Sequence, residues 1–313
     1  MTATNYHSAQ NLIECNQLSK HYGSTQALAD VSLSLEPGAP VALIGPNGAG
    51  KTTFMSIICG FIRPSSGNVR VIGHAPGSHR ALSKLSALPQ DAWLDPHFSI
   101  ERQLRHYAQL RGLSSRNART ETSRVLKKVQ LDDRAASKPS QLSHGMRKRI
   151  MIAQAMIGDP ELILLDEPTA GIDPPNVKII RELISAESAN ATFIISSHNL
   201  DELEKVCTKV IHLADGLLKG ISQIDENSQD GYLSITLRPG ADKPPLDQIK
   251  HMAGVSHAEL RGSSEIAIQY DEHTHPDTDI AVLNLLSQHN WRYRKLVKGR
   301  SLEEQLFSDA SAS

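Results

Sequence analysis

Short apolar runs alternate with stretches of helical periodicity over the first two thirds of the chain. Apolar and polar residues alternate in places between residues 11 and 35, which predicts antiparallel strands with one covered face. Uninterrupted apolar runs at 41–44 and 162–165 predict strands buried on both faces, and a further strand is predicted at 192–195. Spacings of three and four predict helices at residues 51–59, 101–130 and 146–157. One further helix is predicted after Pro174, and another begins at Leu200. Strands alternating with helices indicate an α/β fold with a largely parallel central sheet.

The pattern changes near residue 222. Residues 224–232 are polar and predict a linker. The apolar spacing beyond it predicts the order strand, helix, strand, strand, helix, strand, which is typical of a small α+β domain. We therefore expect two domains, at residues 11–222 and 226–313.

Composition and charge exclude several classes of protein. Lys and Arg total 33 against 34 Asp and Glu, and aromatic residues make up 4% of the chain, so neither a basic surface nor a set of stacking platforms for nucleic acid is expected. Apolar runs fall far short of the roughly 20 residues that span a bilayer. The first ten residues lack the apolar core of a signal peptide, and the three cysteines fit a reducing compartment.

The first chemical motif is a glycine-rich loop that directly follows the predicted strand 41–44 and opens a predicted helix. It fits the phosphate-binding pattern G-x-x-x-x-G-K-[ST], and a chance glycine-rich turn is a poor alternative in this context. Backbone N–H groups of such a loop form an anion nest at a helix N-terminus. Its residues are Gly45, Pro46, Asn47, Gly48, Ala49, Gly50, Lys51, Thr52 and Thr53. Lys51 can reach the β- and γ-phosphates, and the Thr52 hydroxyl can coordinate Mg²⁺.

The second motif is a pair of acids at the end of the predicted strand 162–165. Asp166 would hold Mg²⁺ directly or through water, and Glu167 could accept a proton from the attacking water or orient it. Two solvated acids at a strand end are common on their own. The phosphate-loop motif upstream favours the functional interpretation.

With these two motifs the sequence resembles the ATP-binding cassette (ABC) family over about residues 11–222. Leu142–Met146 looks like the family's signature segment, in which Ser143, His144 and Gly145 would face the γ-phosphate bound by a second subunit. His144 stands where the family usually has glycine, and Met146 where it usually has glutamine. His144 therefore brings a titratable group to this segment. Taken alone, Ser143 could be a plain helix N-cap.

Four further residues match family positions. Gln90 matches the glutamine that touches Mg²⁺ and the attacking water, and Asp173 lies in a segment like the family's D-loop. His198 matches the histidine that contacts the γ-phosphate, and Tyr22 matches the aromatic residue that stacks on adenine. Each has a plainer alternative, such as a surface turn for Gln90 or a half-buried strand residue for Tyr22. Their order and spacing favour the functional interpretation.

The resemblance implies a fold, ligands and partners. The fold is an α/β P-loop cassette with a RecA-like core, an antiparallel β subdomain and an α-helical subdomain, followed by the C-terminal α+β domain. The ligands are ATP and Mg²⁺, with Thr52, Gln90 and Asp166 at the metal. The partners are an integral membrane permease and a second copy in a nucleotide-sandwich dimer, and the location is peripheral at the cytoplasmic face of the cell membrane.

The resemblance favours an exporter, with a non-transport ABC ATPase or an importer subunit as alternatives. Ser301–Glu304 looks like the ending of subunits that pair with ABC-2-type membrane proteins. His273 and His275 are a weak candidate metal pair, since no full ligand set is evident. The basic run 147–149 is expected to be a solvated helix face.

Overall fold

The structure is a computed structural model, which describes residues 11–224, 230–238 and 244–299. The chain divides into two compact units, Met1–Ile224 and Asp225–Ser313. The Ser301–Glu304 ending lies outside the described residues. Among the described residues, no helix combines the length and the apolar character needed to cross a membrane.

The first unit contains nine strands and seven α-helices among its described residues. In chain order they are β1 (Ile13–Tyr22), β2 (Thr25–Leu35), β3 (Val41–Ile44), α1 (Lys51–Ile58), β4 (Ser66–Val71), α2 (His79–Leu82), β5 (Leu85–Leu88), α3 (Ile100–Leu110), α4 (Ser115–Lys128), α5 (His144–Ala155), β6 (Leu162–Asp166), α6 (Pro174–Glu187), β7 (Thr192–Ser196), α7 (Leu200–Glu204), β8 (Lys209–Ala214) and β9 (Leu217–Gln223).

Two sheets organise this unit. Strands β2, β1 and β4 form an antiparallel sheet, and six strands form the larger sheet in the order β5-β6-β7-β3-β8-β9. The first five of these six run parallel, while β9 is antiparallel to β8. Strands β3, β6 and β7 are buried along their whole length, as expected for strands covered on both faces. The predicted α/β fold with a parallel core is confirmed.

The helical region 101–130 is interrupted, and the prediction of one continuous helical stretch was wrong. Helix α3 ends before Gly112, which has a φ of 88°. Ser114 then caps α4 by accepting a hydrogen bond from the Asn117 N–H. Glycine readily adopts the left-handed conformation that ends a helix, and serine is favoured at an N-cap, so two helices replace one.

The sequence pattern did not predict four strands of the first unit: β4, β5, β8 and β9. Strand β4 is exposed over most of its length and has a mostly polar sequence, so no alternation marks it. Strand β9 is exposed at every residue except the partly buried Leu218, because it lies at the sheet edge. Edge strands bury too little surface to require an apolar pattern.

The second unit has the predicted order of elements. They are β10 (Asp230–Leu237), α8 (Leu246–Lys250), β11 (Val255–Arg261), β12 (Glu265–Asp271), α9 (Thr278–Gln288) and β13 (Tyr293–Lys298). The antiparallel sheet has the order β11-β12-β10-β13. Alternate residues of its strands, including Ile235 and Ile268, share a core with Val282 and Leu286 of α9. The linker predicted at 224–232 was too long, since β10 begins at Asp230.

The three cysteine thiols of the chain are buried. Cys15, Cys59 and Cys207 are buried, and desolvation raises the pKa of each thiol to about 12. Cys59 packs in the core as a small apolar residue. Within residues 11–224, 230–238 and 244–299, no three His, Cys, Asp or Glu side chains lie together in a way that could hold a metal ion.

Candidate functional site

The candidate site lies at the carboxyl edge of the large parallel sheet. The glycine-rich loop follows β3, Asp166 ends β6 with Glu167 directly after it, and His198 follows β7. Strand β7 pairs with both β6 and β3, so these three strand ends are neighbours. The carboxyl edge of an open parallel sheet is where α/β proteins bind their ligands.

Glycines allow the loop after β3 to turn tightly into α1. Gly45, Gly48 and Gly50 have φ angles of 148°, 82° and 100°, which L side chains rarely adopt. Lys51 begins α1. Its ammonium Nζ donates hydrogen bonds to the carbonyl oxygens of Gly45 at 2.7 Å and Pro46 at 3.0 Å. Two carbonyl oxygens of the loop therefore hold the Lys51 ammonium against the loop.

Gly45 should tolerate a side chain far less well than Gly48. A Cβ at Gly45 would lie 2.0 Å from the carbonyl oxygen of Leu213, whereas a Cβ at Gly48 meets nothing within 4 Å. The backbone of β8 cannot yield cheaply, so we expect Gly45→Ala to destabilise the fold by about 1–3 kcal/mol beyond Gly48→Ala. Both variants carry the cost of a positive φ, which makes Gly48→Ala the matched control. Thermal unfolding and ATP affinity would measure the difference, and equal effects of the two variants would contradict the clash.

Asp166 and Glu167 are held by residues on neighbouring elements. The Asp166 Oδ2 lies 3.4 Å from the Thr52 hydroxyl oxygen, and its Oδ1 accepts a short hydrogen bond from the Ser196 hydroxyl. The N–H of Glu167 donates to the carbonyl and hydroxyl oxygens of Ser196, both at 3.1 Å. Ser196 at the end of β7 thus fixes both acids.

Glu167 has a strained backbone. Its φ is 49°, in the left-handed region that non-glycine residues rarely occupy. Such a conformation costs about 1–3 kcal/mol and persists where surrounding structure enforces it. Here the two hydrogen bonds to Ser196 provide that constraint and set the direction of the Glu167 side chain.

His198 contacts Glu167. The His198 Nδ1 lies 3.0 Å from the Glu167 Oε2, and the histidine side chain is largely exposed while the glutamate is nearly buried. Since a carboxylate oxygen accepts, Nδ1 is the donor and Nε2 is left open to solvent. The histidine can therefore bind a ligand through Nε2 while still orienting the acid.

The donor set at Thr52 and Asp166 suits Mg²⁺. Both side chains offer hard oxygen atoms, which Mg²⁺ prefers, and their 3.4 Å separation allows both to lie beside one ion. Octahedral Mg²⁺ keeps further positions for water and phosphate oxygens. Gln90, expected at the same ion, follows β5, and its described contact is through the main chain: its carbonyl oxygen accepts from Lys148 at 3.4 Å.

Tyr22 is half exposed at the end of β1. The Lys20 ammonium lies 5.1 Å from the centre of the tyrosine ring and donates to the carbonyl oxygen of Arg63 at 2.8 Å. One ring face is therefore covered by Lys20. An exposed aromatic ring supported on one side can stack with a base on the other.

The signature segment forms local contacts. Ser143 is the N-cap of α5, with its hydroxyl accepting from the Met146 N–H at 3.2 Å. His144 lies 3.1 Å from the Gly171 carbonyl oxygen. Asp173, the N-cap residue of α6, accepts from the Asn176 amide at 2.7 Å, which lowers the Asp173 pKa. In the described part of the chain, no hydrogen bond or ion pair joins Ser143, His144, Gly145 or Asp173 to residues 45–53.

The basic run 147–149 is not the solvated face that its sequence suggested. Lys148 and Arg149 are 6% and 8% exposed. Helix α5 packs against α3, α4, α6 and β5, which covers most of its surface. Arg149 donates to the Val129 carbonyl at 2.9 Å, and Lys148 to that of Gln90. Both long side chains bind main-chain oxygens because the helix is enclosed.

Ser196 and Lys148 are the site residues that sequence reasoning missed. Nothing in the pattern distinguishes Ser196 from Ser197 beside it. For Lys148, a signal was available: the nearly continuous apolar run 150–157 places apolar residues on all faces of the helix, which could have indicated that the helix is enclosed.

A phosphate loop after a buried strand, with two acids at a neighbouring strand end, defines a P-loop nucleotide-binding cassette. The sequence pattern of the ABC transporter family matches residues 28–170. A Nod factor export ATP-binding protein I of Paraburkholderia xenovorans is 32% identical over 207 residues, which are 65% of this chain and 68% of that protein. The chain belongs to the ABC transporter family.

Other relatives and solved structures agree. The Nod factor export ATP-binding protein I of Cupriavidus metallidurans is 35% identical, over 63% of this chain and 66% of the relative. The linearmycin resistance ATP-binding protein LnrL of Bacillus subtilis is 34% identical, over 64% and 65%. The chain thus spans slightly less than two thirds of these two relatives. A solved ATP-binding subunit of an ABC transporter superposes with a TM-score of 0.62 at 30% identity, covering 69% of this chain and 91% of that one.

Proposed function

We propose that this chain is the ATP-hydrolysing subunit that powers an ABC exporter. The observation that carries the proposal is the meeting of Lys51 and Thr52 with Asp166, Glu167 and His198 at one sheet edge. These are the parts that phosphoryl transfer to water requires: a phosphate cradle, an oxygen donor pair for a metal and a base for the water. The relatives named for export and resistance favour an exporter over an importer or a non-transport ATPase.

The proposed reaction is hydrolysis of the γ-phosphate of ATP. Lys51 leaves the Gly45 and Pro46 carbonyls and binds the β- and γ-phosphates. Glu167 orients the attacking water and takes its proton as the new P–O bond forms. The bond to the β-phosphate breaks, and ADP and phosphate leave. His198, as the imidazolium, donates from Nε2 to a γ-phosphate oxygen while its Nδ1 donates to Glu167. Thr52 and Asp166, with Gln90, would hold Mg²⁺, which when bound would neutralise phosphate charge.

We further propose that two copies close head to tail around two ATP molecules. Each ATP would lie between residues 45–53 of one copy and Ser143–Gly145 of the other, with Asp173 near the interface and Tyr22 on the adenine. Ser143 and His144 are exposed, as such an interface requires. A solved ATP-binding cassette described as dimeric and bound to ADP and phosphate shares the fold, at 23% identity. Closure of the dimer would drive a rigid-body change in the membrane permease.

We also propose a membrane partner, a domain division and a cellular location for this chain. The partner is a separate integral membrane permease, and the chain is peripheral at the cytoplasmic face of the cell membrane. Residues 11–222 are the cassette, and 226–313 an accessory domain. Co-expression and co-purification with a multi-span membrane protein, should a neighbouring gene encode one, tests the pairing. Recovery of the chain without that protein would contradict the assignment.

A titration of protein concentration tests the ATPase proposal. We expect the purified full chain to hydrolyse ATP only with Mg²⁺, and its rate per chain to rise with concentration because two copies form each site. Phosphate release would be measured. Absence of hydrolysis at all concentrations would overturn the enzymatic role, and a constant rate per chain would overturn the shared sites.

A further inference from the structure

One face of α5 binds two loops of the same chain. His144 and Lys148 are four residues apart, so they lie on the same side of the helix. The His144 Nδ1 is 3.1 Å from the carbonyl oxygen of Gly171, in the segment between β6 and α6. The Lys148 Nζ is 3.4 Å from the carbonyl oxygen of Gln90, after β5. The helix that begins with the signature segment thus contacts the loops that follow two neighbouring strands, β5 and β6.

The partners of His144 and Lys148 are both carbonyl oxygens, and this fixes which atoms of the two side chains donate. A carbonyl oxygen only accepts, so the His144 Nδ1 must be the donor, and Nε2 is the ring nitrogen left for other partners. Lys148 is 6% exposed, and its ammonium donates to a main-chain carbonyl oxygen. Burial lowers its pKa, while the charges of Asp166 and Glu167 act in the opposite direction. The Lys148 charge therefore lies in the field of the two acids.

The first turn of α5 packs closely against the start of α6. A Cβ at Gly145 would lie 2.5 Å from the Asn176 side chain, so the two helices approach as closely as glycine permits. Asn176 in turn donates to Asp173 at 2.7 Å. A displacement of the first turn of α5 therefore moves the Gly171–Asp173 segment through packing and through His144, and the Gln90 loop through Lys148.

We propose that His144 and Lys148 form a two-point clamp that couples the two ATP sites of the dimer. ATP contacting Ser143–Gly145 of one copy shifts α5, and the clamp carries that shift to Gln90 and to residues 171–173 of the same copy. Occupancy of one site then prepares the other. Both residues act as positioning residues, and the inference rests on the proposed head-to-tail dimer.

The test is the ATP dependence of hydrolysis by the full chain at fixed protein concentration. For two coupled sites the Hill coefficient of the wild type lies above about 1 and reaches at most about 2. His144→Gly and Lys148→Met remove one clamp contact each, so both should lower the coefficient toward about 1. Their affinity for ATP at protein concentrations too low for dimers should stay unchanged, because residues 45–53 are untouched.

Two further variants separate the clamp from a general packing effect. His144→Asn keeps an N–H donor near the position of Nδ1 and should retain cooperativity. Arg147→Met removes a charge from the same turn of α5 without removing a clamp contact, and should also retain it. His144 is exposed, so His144→Gly keeps the fold even if Lys148→Met does not.

The outcomes distinguish the clamp from the proposed function. A wild type that does not hydrolyse ATP overturns the proposed function. A wild type that hydrolyses ATP without cooperativity, or a His144→Gly variant as cooperative as the wild type, overturns the clamp and leaves the ATPase role intact. Equal loss of cooperativity in Arg147→Met and His144→Gly also overturns it, since helix packing would then account for the effect.

Discussion

Glu167→Gln should lower the rate of ATP hydrolysis by about 10²–10⁴-fold, the usual contribution of a positioned general base. Glutamine keeps the size of the side chain and can still accept a hydrogen bond from the His198 Nδ1, but it cannot take a proton from water. ATP should therefore bind without turning over, and the closed dimer should accumulate. Size-exclusion chromatography with Mg²⁺ and ATP would then show a species of twice the 34.2-kDa chain mass.

Glu161→Gln is the matched control. Glu161 lies just before the opposite end of β6 and forms a surface ion pair with Lys84 at 2.7 Å. Exposed pairs contribute about 0–1 kcal/mol, so this variant should hydrolyse ATP like the wild type. Unaltered turnover in Glu167→Gln would remove Glu167 from the role of base. Loss of ATP binding in that variant would show instead that the side chain supports the loop fold.

Lys51→Met should weaken ATP binding by about 10- to 150-fold. A hydrogen bond to a charged group contributes about 1.5–3 kcal/mol, and the change removes the donor that reaches the β- and γ-phosphates. AMP lacks both phosphates, so its affinity should change little. Isothermal titration with ATP, ADP and AMP measures all three effects on one protein.

Lys127→Met is a suitable control for the lost charge, because Lys127 is an exposed residue on α4. Its ATP affinity should equal that of the wild type. An equal loss of AMP and ATP affinity in Lys51→Met would contradict the phosphate contact. It would indicate that Lys51 acts by holding the loop through the Gly45 and Pro46 carbonyls.

Sequence alone predicted the parts of the site that depend on local pattern. The phosphate loop and the acid pair follow short buried strands, and such strands are recognisable because every residue in them is apolar. Placing β3 and β6 on one parallel sheet then brings Lys51 and Asp166 to one edge. Family spacing located His198, and the structure places it against Glu167.

The parts that escaped prediction depend on tertiary packing. Lys148 lies in a basic run whose sequence is typical of a solvent-facing helix, and only the enclosure of α5 by four other elements buries it. Ser196 acquires its role because β7 pairs with β6, which no local pattern encodes. The edge strands β4 and β9 lack an apolar pattern because one edge of each needs no partner.

The position of β3 sets a condition on when the phosphate loop can form during synthesis. Strand β3 comes early in the chain, yet its two neighbours, β7 and β8, contain residues 192–196 and 209–214. The turn at Gly45 also rests against the Leu213 backbone. Such long-range pairings close late, because a long loop must be ordered first. A nascent chain that has not yet presented β8 therefore lacks a finished nucleotide pocket, and ATP can stabilise this cassette only once nearly all of it has been made.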